Sequence, residues 1–160
     1  VEGEVRRRDY PDELKERSRD TGEVWLSWTR SLMDGRAAFT LTANAGREWA
    51  THDRPDGDAD IYGVTADFGI DVNENLSLFF FGMWEHNGYH DEHLSLNDDL
   101  VPVGSYSRSD DLYELEAGLT WTFAPGWSLR PSVLWVRDES NTLWGNYSST
   151  EVMVMVRRSF

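Results

Sequence analysis

Apolar side chains recur at every second position along most of this chain, a period that a strand puts on one face and a helix cannot. Over 61–72, Tyr62, Val64, Ala66, Phe68, Ile70 and Val72 share one parity, against Ile61, Gly63, Thr65, Asp67, Gly69 and Asp71 on the other. Over 112–123, Tyr113, Leu115, Ala117, Leu119, Trp121 and Phe123 oppose Glu114, Glu116, Gly118, Thr120 and Thr122. Leu129, Pro131, Val133 and Trp135 oppose Arg130 and Ser132, and Phe39, Leu41, Ala43, Ala45 and Trp49 oppose Thr40, Thr42, Asn44, Gly46 and Glu48. The pattern predicts an all-β, antiparallel chain with eight strands at about 1–10, 22–32, 36–50, 60–72, 76–88, 111–124, 127–138 and 149–160. A single domain over 1–160 is expected, because ~100–200 residues is the usual span of one.

The connections carry further information. Met33-Asp34-Gly35-Arg36, Asn73-Glu74-Asn75 and Ala124-Pro125-Gly126 have the composition of tight hairpin turns, whereas 11–21, 51–59, 89–110 and 139–148 are long and charged. Short and long alternate without exception. In an up-and-down sheet this puts every short turn at one end and every long loop at the other. That asymmetry is expected of a transmembrane β-barrel of the bacterial outer membrane, with short turns in the periplasm and long loops outside. The strand lengths fit, since ~9–11 tilted residues cross the hydrocarbon. Lipid cannot satisfy an open strand edge, so such a sheet must close. Trp49, Tyr62, Trp84, Tyr113, Trp121, Phe123, Trp127 and Trp135 fall near predicted strand ends, mostly on the apolar parity, as interfacial aromatic girdles do. A soluble antiparallel barrel or sandwich shares the alternation. The one-sided loop lengths and the charged second face favour the membrane form.

Composition then excludes several classes. There are 29 acidic residues against 15 basic, a formal charge of -14, which disfavours nucleic acid as a partner. Without cysteine, neither disulfides nor thiolate zinc sites can form. No run of roughly 20 apolar residues is present for a membrane helix. A mean hydropathy of -0.58 reads as an ordinary soluble chain, yet 13% of the residues are aromatic, including eight tryptophans. A two-faced sheet reconciles those numbers.

The chain ends on an alternating strand, Thr150-Glu151-Val152-Met153-Val154-Met155-Val156-Arg157-Arg158-Ser159-Phe160. With Val152, Val154, Val156 and Phe160 on one parity, it resembles the C-terminal strand of outer-membrane proteins, whose final aromatic residue is read by the barrel-assembly machinery. Arg158 departs from that pattern. A wider stretch comprises Arg108-Ser109-Asp110-Asp111, Pro125-Gly126-Trp127-Ser128-Leu129, Ser140-Asn141, Tyr147 and Arg157-Arg158-Ser159-Phe160. It is similar to the barrel of surface lipoprotein assembly modifiers and related tetratricopeptide-bearing outer-membrane proteins. That resemblance implies a barrel of more than eight strands that helps move cargo outward, in contact with outer-membrane lipid and lipopolysaccharide and needing no cofactor. The helical-repeat domain of that family has no counterpart here. Residues 1–10 show little apolar character on either parity, so the expectation is the C-terminal portion of a larger barrel, completed by further strands of the same or another chain.

Within such a barrel, Glu48, Asp67, Asp71, Glu85, Glu114, Glu116, Arg130, Glu151 and Arg157 are expected to line the lumen. In a narrow barrel these charges must pair, and in a wide one they line a wet path. A transport or export channel component is the leading function. A small structural or adhesive barrel, binding an external partner through its acidic loops, is the alternative. Candidate metal ligands are His90 with His93 around two carboxylates, and Asp56, Asp58 and Asp60. The second group fails as an EF-hand, because its sixth and twelfth positions are Ile61 and Asp67. An outer-membrane lipid-modifying enzyme is the third choice, and enzyme activity is not expected. His52 beside Asp53 and His86 beside Glu85 lack a nucleophile, and Asp138 stands where a lipid deacylase would need histidine before Ser140.

Overall fold

The computed structural model describes residues 1–52, 56–96, 102–142 and 145–159. Eight strands form one antiparallel sheet in chain order: β1 (Glu2–Arg8), β2 (Arg19–Leu32), β3 (Ala37–Ala50), β4 (Ala59–Asn73), β5 (Leu76–Leu96), β6 (Pro102–Ala124), β7 (Trp127–Ser140) and β8 (Tyr147–Arg158). Every strand pairs only with its sequence neighbours, as the alternation of turns and loops requires. Gly126, at φ +74°, makes the β6–β7 turn. At the β2–β3 turn, Met33 and Asp34 themselves adopt φ of +53° and +55°.

The pairing register carries the two parities across the whole sheet. One cross-strand row runs Trp28, Leu41, Ala66, Gly82, Leu115, Trp135, and the next runs Phe39, Phe68, Phe80, Ala117, Val133, Val152. This apolar face is not covered. Leu26, Leu115, Val152 and Val154 are 60%, 56%, 74% and 62% exposed. Ala37, Ala59 and Ile61 are the buried hydrophobic residues among those described, so the sheet encloses no conventional core.

One sequence expectation needs correction. Residues 89–110 are not a loop for most of their length. β5 and β6 continue past the other strands as a two-stranded arm, with a register shift between Gly88 and Glu92. The sequence of the arm lacks the sustained one-sided apolar alternation on which the strand assignment rested. The sheet is also open: β1 pairs only with β2, β8 pairs only with β7, and the two edge strands are not joined. The 11–21 connection contains a 3-10 segment at Asp12–Arg17.

Candidate functional site

The polar face is where charged groups converge. All nine expected lumen residues lie on it, because the register keeps their parity: Asp67, Phe81, Glu116, Leu134 and Glu151 form one row, with Glu114 in the adjoining row beside Met83. At the loop end, a 260 Å³ cavity takes its lining from five strands, β1 to β5, so the polar face is concave there. Arg6, Arg8 and Arg19 face Glu23, Glu48 and Glu85 across it. Arg19 Nε lies 3.0 Å from Glu48, and Glu48 is buried. Glu85 accepts a hydrogen bond from Asn87, and Asp71 accepts one from the Ser77 hydroxyl at 2.8 Å. Arg130 sits over the Phe79 ring at 4.3 Å. Asp67, Glu114, Glu116, Glu151 and Arg157 make no ion pair or hydrogen bond among the described residues. The strand alternation did not announce Phe79, Phe81, Leu134 and Met153, which bring bulky apolar groups onto this face between the charges.

The loop end is braced by a second network. Asp58 accepts a hydrogen bond from the Ala50 backbone N–H at 2.9 Å and one from Arg47 at 3.1 Å. The same Arg47 nitrogen is 3.1 Å from His90 Nδ1, and His90 Nε2 is 2.9 Å from Asp60. Arg108 reaches Asp56 at 2.9 Å, also binds Asp110, and stacks over Tyr89. Backbone bonds from His90 and Asp91 to Asp58 and Asp56 zip the segment onto β5. The Ala50 N–H, then Arg47, holds the Asp58 carboxyl below the usual carboxylate range.

These contacts decide how the metal candidates stand. His90 joins Asp58 and Asp60, which the sequence had placed in a separate group, but guanidinium groups occupy the space between the carboxylates. Among the described residues no set of three His, Asp or Glu side chains gathers into a metal site. The side chain of His93, and Phe160 of the expected assembly signal, lie outside the described residues. Val152, Val154 and Val156 do share the exposed apolar face. Arg158, the departure from the terminal pattern, stacks over Trp127 at 5.1 Å.

His86 does not meet its neighbour Glu85. Consecutive strand residues point to opposite faces, so Glu85 enters the polar cavity while His86 lies on the apolar face. There it stacks on Tyr62 at 4.9 Å and approaches Asp111 at 2.9 Å, and Trp84 Nε1 donates to the same carboxylate at 3.0 Å. Ser140 contacts Thr142 and Asn146 rather than a histidine. His52 meets the Thr51 hydroxyl, and Asp53 lies outside the described residues.

Aromatic side chains run the length of the apolar face, with Trp28, Phe39, Phe68, Phe80 and Trp135 in its middle rows. Tyr62, Trp84 and Tyr113 lie toward the loop end, while Trp121, Phe123 and Trp127 form a continuous cluster at the turn end, with centroid separations of 5.7 and 6.3 Å. Tyr113 and Trp121 share β6 eight residues apart, ~27 Å along the strand. Comparison with protein-family profiles, with curated proteins and with solved structures finds no match to this chain.

Proposed function

We propose that this chain is a β-barrel component of a bacterial outer membrane whose polar face lines an aqueous path for transport or export. One observation carries the reading: exposed large apolar side chains run across one face of the sheet from β2 to β8, while the other face holds Asp67, Glu114, Glu116 and Glu151, which make no ion pair or hydrogen bond among the described residues. Soluble monomers rarely expose contiguous apolar patches above a few hundred Å², and lipid is the solvent that such a band fits. At a strand tilt of ~35–45° the ~27 Å between Tyr113 and Trp121 projects to ~19–22 Å along the membrane normal, inside the ~25 Å apolar band of such barrels. A narrow, plugged barrel would need its internal charges paired, because an unpaired buried charge is costly. The acidic row therefore favours a hydrated lumen, wider than eight strands enclose, completed by further strands. The likeness of the last strand and of 108–160 to the export barrels supports the same direction of traffic.

Reconstitution tests this. Refolded in vesicles of brominated phosphatidylcholine, the tryptophans of the apolar face should be strongly quenched, and planar bilayers should show discrete conductance steps. A chain that stays monomeric in water without detergent and leaves vesicles untouched would refute it. The braced loop end supports the second reading, an outward surface that binds an external partner. A silent bilayer combined with full membrane insertion would favour it.

A further inference from the structure

We propose that Ser109, His86 and Asp111 form a nucleophile, base and carboxylate set at the loop end of the apolar face, suited to cleaving a carboxylic ester with a fatty acyl chain. His86 and Asp111 stand directly opposite each other on β5 and β6, with Nδ1 2.9 Å from the carboxylate. Trp84 Nε1 donates to the same oxygen at 3.0 Å, and Tyr62 stacks on the imidazole, so both members are held. The other ring nitrogen, Nε2, extends toward Gly88 and lies 3.5 Å from where a β-carbon would stand there. Gly88 pairs with Ser109. The Ser109 N–H donates to Asn141 Oδ1 at 3.0 Å and its carbonyl accepts the Asn141 N–H, so both groups point to β7 and away from β5. Gly88 and Ser109 are therefore a non-hydrogen-bonded pair, the kind in which Cα atoms approach to ~4.5 Å and side chains are nearest. Ser109 is also the diagonal neighbour of His86, on the parity of Asp111 and within reach across an antiparallel pair. Glycine at 88 leaves open the space between hydroxyl and imidazole, where a carbonyl carbon can enter. No hydrogen bond joins Ser109 to Nε2 in this structure, a contact that often closes only around substrate.

The chemistry balances with water as the only co-reactant. Nε2 takes the hydroxyl proton as Oγ adds to the ester carbonyl, and the alcohol leaves carrying that proton. Water, deprotonated by the same nitrogen, then releases the fatty acid and restores the serine. Asp111 is a positioning residue that keeps the proton on Nδ1 and leaves Nε2 basic. The neighbouring surface supplies the acyl seat. Next to the His86–Asp111 row come Trp84 and Tyr113, and then Gly82 between Ala66 and Leu115. There a 520 Å³ apolar hollow lies over Ala66 and Gly82, bordered by Phe68, Phe80, Leu115 and Trp135. An acyl chain bound at the serine runs past Trp84 into that hollow. The inference rests on the reading above only in taking this face as the one that meets lipid.

The test uses the whole chain in non-ionic detergent micelles, with ethyl and dodecyl fluorophosphonates as probes that lose fluoride to an activated serine. Mass spectrometry should find one adduct, on Ser109, formed about tenfold faster with the dodecyl probe. Ser109→Ala should abolish it, while Ser107→Ala should change nothing. His86→Asn, which removes the base, and Gly88→Val, which fills the space beside it, should each slow labelling by about a hundredfold with the β-sheet circular dichroism unchanged. Gly82→Phe should remove the preference for the dodecyl probe. On p-nitrophenyl dodecanoate, Asp111→Asn should lower kcat by about tenfold and leave KM in place, the mark of positioning rather than binding. No adduct, an adduct on another residue, labelling that survives His86→Asn, or equal rates with the two probes overturns the proposal. Ser109 labelled in micelles by a chain that never enters vesicles removes the membrane reading and leaves this site standing.

Discussion

Gly57 sits at φ +67°, and a β-carbon there would stand 2.5 Å from the Asp91 carboxyl carbon. Gly57→Ala should therefore destabilise the loop-end network by ~1–3 kcal/mol, combining left-handed strain with displacement of Asp91. Gly69, with open space around its own β-carbon position, should accept alanine without comparable loss. Equilibrium urea unfolding of the two variants checks the contrast. Asp58 supplies a pH dependence of known sign. Its folded pKa is depressed, so its contribution is complete above the unfolded value near ~3.9 and disappears as pH falls through the folded one. Amide exchange at Ala50 should accelerate on that acid limb in the native chain, and Asp58→Ala, which removes the acceptor, should exchange fast at every pH. None of this network was legible in the sequence. Arg47 and His90 stand 43 residues apart, and His86 meets Asp111 across 25. Sequence neighbours on a strand point to opposite faces, so contacts of this kind cross between strands and leave no local signal.

At the scale of the strand, Leu115 and Glu116 are consecutive residues of β6 with opposite surroundings. Leu115 lies in the middle of the exposed apolar band, and Glu116 in the acidic row. In lipid, Leu115→Arg should cost ~2–4 kcal/mol of folding free energy, the depth-dependent penalty for a charge at mid-membrane. Glu116→Arg should cost far less, so urea titrations of the two variants in vesicles measure which face meets lipid. Equal penalties would argue against the assignment. The strands and their faces were readable because one-sided alternation of period two is a direct consequence of a sheet with two unlike environments. The β5–β6 arm was not readable for the complementary reason: its sequence shows no sustained one-sided alternation and shares the charge of a loop. Closure was unreadable too, since it depends on the number of strands rather than on the pattern within any of them.

For the molecule as a whole, the proposed transport reading makes the polar face the determinant of ion selectivity. Asp67, Glu116 and Glu151 share one row, with Arg6, Arg8 and Arg19 at the loop end and Arg130 and Arg157 at the turn end. A path crossing that row should favour cations. Replacing the three acids together with Asn, Gln and Gln should shift the reversal potential in a salt gradient toward zero while leaving the membrane-inserted fraction unchanged. Selectivity unchanged by the triple substitution would place the path elsewhere.

Nearest-neighbour order has a further meaning for how such a molecule is made. Each contact between strands joins segments that follow one another along the chain, so no segment is threaded past another and ordering one hairpin prepares the edge on which the next is laid. The unit of growth is the hairpin. Adding or deleting one changes the girth of the sheet by two strands and keeps every remaining loop on its own side.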